Sequence, residues 1–206
     1  MKLGELQRMK KFIVATRNKG KLSEIEEILS EMNLKVISME QAGINDDIEE
    51  YGSTFEENAL IKAKEVHKIT GELVMADDSG LEVDFLNGAP GIYSSRFAGE
   101  GASDADRNNK LLEILKDVPF ENRKARFVCA IAVILPDGSR FTVRGTFEGL
   151  IGLEPVGKNG FGYDPLFYVP EFDKTAAQLE PSQKHEISHR GKALKLMLAE
   201  LRERLA

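Results

Sequence analysis

The stretch FIVATRNKGKLSEIEEILSEM, residues 12–32, runs from four apolar residues through a cationic hinge into Leu22, Ile25, Leu29 and Met32 at helical spacing. A strand that hands directly to a helix opens an α/β unit. The hinge TRNKGK, residues 16–21, sets Arg17, Lys19 and Lys21 where the helix begins. A helix N-terminus already presents orphan N–H groups and the positive end of its dipole, so added cations there call for an anion. Phosphate is the usual occupant of such a place. The segment is no Walker A loop, which needs Gly in place of Ala15 and Ser or Thr in place of Leu22. Backbone N–H groups with Thr16, Asn18 and Lys21 could still cradle phosphate oxygens. The plainer alternative is a solvated helix start.

Outward from this unit, LKVIS (34–38) reads as a short strand and NDDIEEYGS (45–53) as an acidic turn. Ser53 with Glu56, or Thr54 with Glu57, offers a capping box for a helix that Gly71 closes. ELVMA (72–76) is a strand running into ADDSG, and LEVDFL (81–86) a further short strand before the turn NGAPG. IYSSRFAGEGAS (92–103) is loop-like, and Ser103 caps a helix around RNNKLLEILK that Pro119 ends. ARFVCAIAVIL (125–135) is apolar on both alternating faces, the mark of a central buried strand. PDGS turns it into the hairpin partner RFTVRGTFEGLI (140–151). PVGKNGFGYDPLFYVP (155–170) reads as a Gly- and Pro-rich loop, and a last helix runs from about Ser188 to the end. The pattern predicts an α/β domain with a mixed sheet rather than a plain Rossmann domain, because the hairpin is antiparallel.

Composition narrows the function classes. With 206 residues, 42% hydrophobic and 30% charged, the chain fits one domain with a substantial core. A formal net charge of −6 argues against nucleic-acid or anionic-membrane partners, so any anion site is a local concentration of cations. The single Cys129, within FVCAIAVIL, makes no internal disulfide and reads as a buried small hydrophobe in a reducing compartment. FIVA is too short for a signal-peptide core or a membrane span, and the expected location is cytoplasmic. Met9 could be an alternative start, leaving residues 1–8 as a loose extension. There is no zinc pattern.

Four further segments could carry chemistry. Asp77 and Asp78 follow an apolar strand, where α/β sheets place ligands, and adjacent carboxylates call for Mg²⁺ or the Lys21 ammonium. The alternative is an Asx turn. In DDIEE, Glu49 or Glu50 could complete a hard-oxygen metal site. GKNGFGYDP combines Gly157, Gly160 and Gly162 for close backbone approach with Phe161 and Tyr163 as aromatic faces and Asp164 as an acceptor, a set suited to a flat base, the alternative being a hairpin-like loop whose Phe161 packs inward. SHRGKAL puts His189 and Arg190 at a helix start, with Lys184 five residues earlier, again a cationic place that needs an anion or acceptors, the plainer alternative being a solvated surface helix start.

Taken together, TRNKGK (16–21), FEENALIKA (55–63), ADDSGL (76–81), GAPGIYSSR (88–96), GFGYDP (160–165) and ISHRGKA (187–193) closely resemble the inosine triphosphate pyrophosphatase family, in family order. The resemblance covers essentially all of the chain after residue 9. It implies an elongated mixed β-sheet flanked by helices, in two lobes with the active site in a cleft between them. It also implies Mg²⁺-dependent hydrolysis of ITP, dITP, XTP and dXTP to the monophosphate and pyrophosphate, by a homodimer. Carried over, Thr16, Arg17, Asn18, Lys19, Gly20 and Lys21 would hold phosphates, and Lys62 would approach the triphosphate. Asp78 would be the catalytic carboxylate and a metal ligand, with Glu49 the chosen second ligand and Glu50 the neighbouring choice, and Ser79 a substrate contact. Phe161, Gly162, Tyr163 and Asp164 would hold the base, Phe161 by stacking, and Lys184, His189 and Arg190 would contact base and phosphate. Two other readings stay open: a Maf-type dTTP/UTP pyrophosphatase, and a nucleotide-binding sensor without turnover.

Overall fold

The computed structural model describes residues 12–30 and 36–204. Residues 1–8, Met32, the first two residues of LKVIS and the last two of the chain lie outside the described residues. The first unit folds as read: β1 (Phe12–Val14) leads into α1 (Lys19–Ser30), then β2 (Val36–Ser38). Next comes α2 (Phe55–Thr70), whose N-cap Thr54 accepts a hydrogen bond from the Glu57 amide. The Glu57 carboxylate turns back to the amide and hydroxyl of Ser53, so the box closes one residue earlier than its usual form. Gly71 ends the helix in the left-handed region, at φ 63°.

The one large departure is β3 (Leu73–Val83). It runs eleven residues without a break, straight through ADDSG, where two shorter strands are expected. The reason is tertiary. β1 pairs with β3 only as far as Val14 and Met75, after which the Ala15 amide donates to the Met75 carbonyl. Beyond that point the polar residues of β3 find partners on helices, and this offsets their poor strand propensity.

The 3₁₀ turns 84–86 and 91–96 lead to α3 (Asp104–Leu115), capped by Ser103 with Asp106 closing a capping box. β4 (Lys124–Ile134) and β5 (Arg140–Ile151) are joined through Leu135–Ser139, with the Leu135 amide bonded to the Ser139 carbonyl. The segment read as one long loop contains β6 (Phe167–Val169), which pairs antiparallel with β5 and with β7 (Lys174–Thr175). α4 (Pro181–Ile187), with Pro at its first position, precedes α5 (His189–Arg204). The result is a seven-stranded mixed sheet in the order β2-β1-β3-β4-β5-β6-β7.

The chain forms two compact units. The first takes in the described residues up to Asp78, Cys129–Gly145, and those from Arg190 onward. Alternation along its strands sorts its core into two faces. Phe12, Val14, Leu73, Met75, Cys129, Ile131 and Val133 pack with α1 and α5, while Ile13, Ala15, Val74, Ala76, Ala132 and Ile134 pack with α2. β4 is thus buried on both faces, as its sequence predicts. The second unit, Ser79–Val128 with Thr146–His189, packs Leu111 and Leu115 of α3 against Leu81, Phe127, Phe147, Ile151 and Phe167. Full burial of each large aliphatic or aromatic side chain stabilises by roughly 1.5–3 kcal/mol. No helix among the described residues is long and apolar enough to cross a membrane.

Candidate active site

In the first unit the hinge is a capped helix start. Asn18 accepts from the Lys21 amide at 3.0 Å, and the Asn18 amide donates to the Thr16 hydroxyl at 3.3 Å. The amides of Lys19 and Gly20, at the first helical positions, have no acceptor within their own helix. The three cations part ways. Arg17 pairs with Asp47 at 3.1 Å on the surface, Lys19 is exposed, and Lys21 turns inward to Asp77 at 3.1 Å.

Asp77 and Asp78 do not confront each other. As neighbours in a strand they project to opposite faces, Asp77 with Leu73 and Met75 toward α1 and α5, Asp78 with Val74 and Ala76 toward α2. Each face supplies cations. Asp77 is fully buried, with Lys21 at 3.1 Å and the Arg190 guanidinium at 3.5 Å, and Arg190 also bonds Glu24. Burial alone would raise the Asp77 proton affinity, but Lys21, Arg190 and Lys62 together hold its carboxyl well below the usual range. Arg190 is only 1% exposed, and although its burial opposes charge, Asp77 and Glu24 keep the guanidinium firmly protonated. The cation at the start of α5 is therefore neutralised from inside the protein.

Asp78 is different in kind. Burial pushes its carboxyl above the ordinary value, Lys62 and Lys21 only partly oppose this, and Glu50 adds to it. Asn58 of α2 donates to Asp78 at 3.2 Å and accepts from the Gly52 amide at 2.8 Å. The Lys62 ammonium lies 2.9 Å from Glu50 and 3.7 Å from Asp78. Burial disfavours the charge on Lys62, but Asp78, Asp77 and Glu50 outweigh it and raise its proton affinity. Glu49 is exposed. Of the two candidate glutamates, Glu50 is the one beside Lys62. Asn58 went unread, although a polar residue on the apolar stripe formed by Phe55, Ala59, Ala63 and Val66 is a signal visible in sequence.

In the second unit the loop 157–165 is built around Asp164. Its carboxylate accepts from the Phe161 amide at 2.8 Å and from the Lys184 ammonium at 2.7 Å, and Lys184 sits over the Phe161 ring at 5.3 Å. Tyr163 is buried, its hydroxyl donating to the Ser94 carbonyl at 2.9 Å. His189 is buried and stacks on Phe127, centroids 5.0 Å apart. Phe161 and Gly162 are half-buried, and so is Ser79, the residue after Asp78. Of the four residues read as base contacts, Tyr163 and Asp164 thus face inward and shape the loop.

Gly160 shows how tight that loop is. Its φ is +75°, and a Cβ there would stand 2.1 Å from the Asp164 carboxylate. Gly138, in the β4–β5 turn, has φ +82° and open space around it. Gly138→Ala is expected to cost only the left-handed penalty of about 1–2 kcal/mol, and Gly160→Ala clearly more, read as midpoints of denaturant unfolding. Equal losses would show that Asp164 yields.

Residues 12–200 match the Ham1 family. A dITP/XTP pyrophosphatase of Exiguobacterium sibiricum is 54% identical over 191 residues, covering 93% of this chain and 96% of its own. Another, from Clostridium perfringens, is 53% identical over 192 residues, covering 90% and 94%. The solved structure of the Staphylococcus aureus Ham1 protein superposes with a TM-score of 0.85 at 45% identity, covering 95% of this chain and all of that one. Matched by the family model over residues 12–200 and by relatives and a solved structure over nearly its whole length, this chain belongs to the Ham1 family.

Proposed function

We propose that the chain is a nucleoside triphosphate pyrophosphatase, hydrolysing the non-canonical purine nucleotides ITP, dITP, XTP and dXTP to monophosphate and pyrophosphate with Mg²⁺. The observation that carries this reading is Asp78, a buried carboxylate of raised proton affinity held by Asn58 and flanked by Lys62, in a chain with relatives named dITP/XTP pyrophosphatases.

Water attacks the α-phosphorus, the bond from that phosphorus to the bridging oxygen breaks, and pyrophosphate leaves with the electron pair. Asp78 takes the proton from the water, a role suited to a carboxylate whose pKa is moved toward neutrality. Lys21 and Lys62 offer fixed ammonium charge to phosphate oxygens, and the Lys19 and Gly20 amides offer donors. Asp77 holds Lys21 in place from behind.

The residues fit Mg²⁺. Glu50 and Asp78 both approach the Lys62 ammonium, and a hard cation held by one or two carboxylates plus substrate phosphates is the usual Mg²⁺ arrangement. When bound, Mg²⁺ supplies charge neutralisation at the phosphates.

The base falls to the second unit, with Phe161 stacking and Gly162, Lys184 and His189 around it. A donor meeting the C6 carbonyl of hypoxanthine or xanthine would face the adenine amino group unpaired, a mismatch worth about 10⁴-fold or more. We further propose a cytoplasmic homodimer that removes deaminated purines from the nucleotide pool.

The test is pyrophosphate release from ITP, XTP, ATP, GTP, dTTP and UTP with Mg²⁺ and with excess EDTA. The expected result is release confined largely to ITP and XTP and lost in EDTA. Preference for dTTP or UTP would move the specificity to the Maf-type reading, and binding without release would leave a sensor.

A further inference from the structure

Helix α3 hydrogen-bonds the 160–165 loop at Gly162. The Gly162 amide donates to Asp104 Oδ2 at 2.7 Å, and the Gly162 carbonyl accepts from Asn108 Nδ2 at 3.1 Å. Asp104 and Asn108 lie four residues apart, on one face of the helix. Gly162 itself has φ +63°, a backbone state that a free loop shares among many. Both of its polar groups are thus tied while its backbone is in the left-handed region.

The two helix residues are themselves well set. Asp104 follows the cap Ser103, where the helix dipole favours a carboxylate, and its other oxygen pairs with Arg107. Arg107 also donates to the carbonyls of Ser95 and Ala102. Asn108 is 5% exposed, on the buried stripe with Leu111 and Leu115. Among the described residues no donor reaches its Oδ1. A buried acceptor without a partner lowers stability, and an apolar residue on this stripe would avoid that loss. The amide group on this stripe serves the Gly162 carbonyl.

We propose that Asp104 and Asn108 are positioning residues that clamp Gly162 by both backbone groups and so set the face that the loop offers to the base. The proposal rests on the reading of this loop as the base-binding element. It assigns base affinity in part to a helix that acts through the backbone of the loop.

The experiment uses the full chain and four variants: Asn108→Ala, Asp104→Ala, Asp104→Asn and Phe161→Ala. For each, KM and kcat for ITP are measured, with inhibition by IMP and by pyrophosphate, and the thermal midpoint. Losing one clamp bond is expected to raise KM and the IMP inhibition constant about tenfold, the equivalent of one hydrogen bond. The kcat and the pyrophosphate inhibition constant stay within about twofold, since the phosphate end is untouched. Asp104→Asn keeps an acceptor for the Gly162 amide and is expected to bind IMP like the parent chain. If IMP and pyrophosphate weaken equally in the clamp variants, the helix only supports the fold and the proposal fails. It fails as well if Phe161→Ala weakens IMP while the clamp variants do not. If Phe161→Ala also leaves IMP unchanged, the loop is not the base site, and the underlying reading falls with it.

Discussion

Asp78→Asn is expected to lower pyrophosphate release by about 10²–10⁴-fold, the range over which general bases contribute, while leaving the chain folded and no less stable near neutral pH. The amide has the shape of the carboxylate and keeps an oxygen for the Asn58 donor, but it cannot take a proton. The stability half follows from the direction of the Asp78 shift. Burial, only partly opposed by Lys62 and Lys21, raises its pKa above the ordinary value, so the folded state binds this proton more tightly than the unfolded one. The stability this group contributes is complete below its unfolded pKa and is lost as pH rises through the folded pKa. At neutral pH the ionised group therefore works against folding, and the amide removes that penalty. Pyrophosphate release and thermal midpoints at neutral and mildly acidic pH check both halves. Near-parental activity in the variant would remove Asp78 from the proton transfer, and a lowered midpoint would overturn the stability argument.

The neighbouring substitution is expected to do the opposite. Asp77→Ala should destabilise the chain by about 3–5 kcal/mol, because it strips the half-buried Lys21 and the buried Arg190 of their shared, fully buried carboxylate. Glu24 remains to Arg190, but Lys21 would stay at a helix N-terminus, where the dipole already opposes a positive charge. The sign of the pH dependence is also reversed. A pKa held below its unfolded value gives stability that is present above that value and lost as pH falls toward the folded pKa. The difference between parent and variant should therefore be fully expressed at neutral pH and shrink only in strong acid. Urea midpoints with unchanged slope measure it. A loss below about 1 kcal/mol would place this network with surface pairs rather than buried ones.

The sequence was most legible where local chemistry and packing agree. The helix that follows TRNKGK, the Thr54 cap with Gly71, the Ser103 cap and the doubly apolar β4 all stand where residue type alone puts them. It was least legible where distant partners decide. Asp, Asp, Ser and Gly look like a turn because their partners, Lys21, Arg190, Asn58 and Lys62, are supplied by three different helices. Spacing could not tell which of Glu49 and Glu50 stands beside Lys62, since that depends on which of the two reaches α2. β6, β7 and α4 are short and lie amid Gly and Pro, although Pro181 at a first helical position was a usable sign. Asn58 and Asn108 were readable as polar breaks in apolar stripes.

The alternation of Asp77 and Asp78 bears on how this chain tolerates insertions and deletions. One peptide bond separates a carboxylate sealed between interior cations from one on the opposite face, and only the parity of β3 keeps them apart. Losing one residue between Leu73 and Ala76 would turn every later residue to the opposite face: an aspartate would still stand between Lys21 and Arg190, but Ser79 would take the place beside Asn58 and Lys62. Every residue type would still be present, and the chemistry would be gone. Point substitutions can adjust this strand by degrees, but frame-preserving length changes within it act as an all-or-none switch.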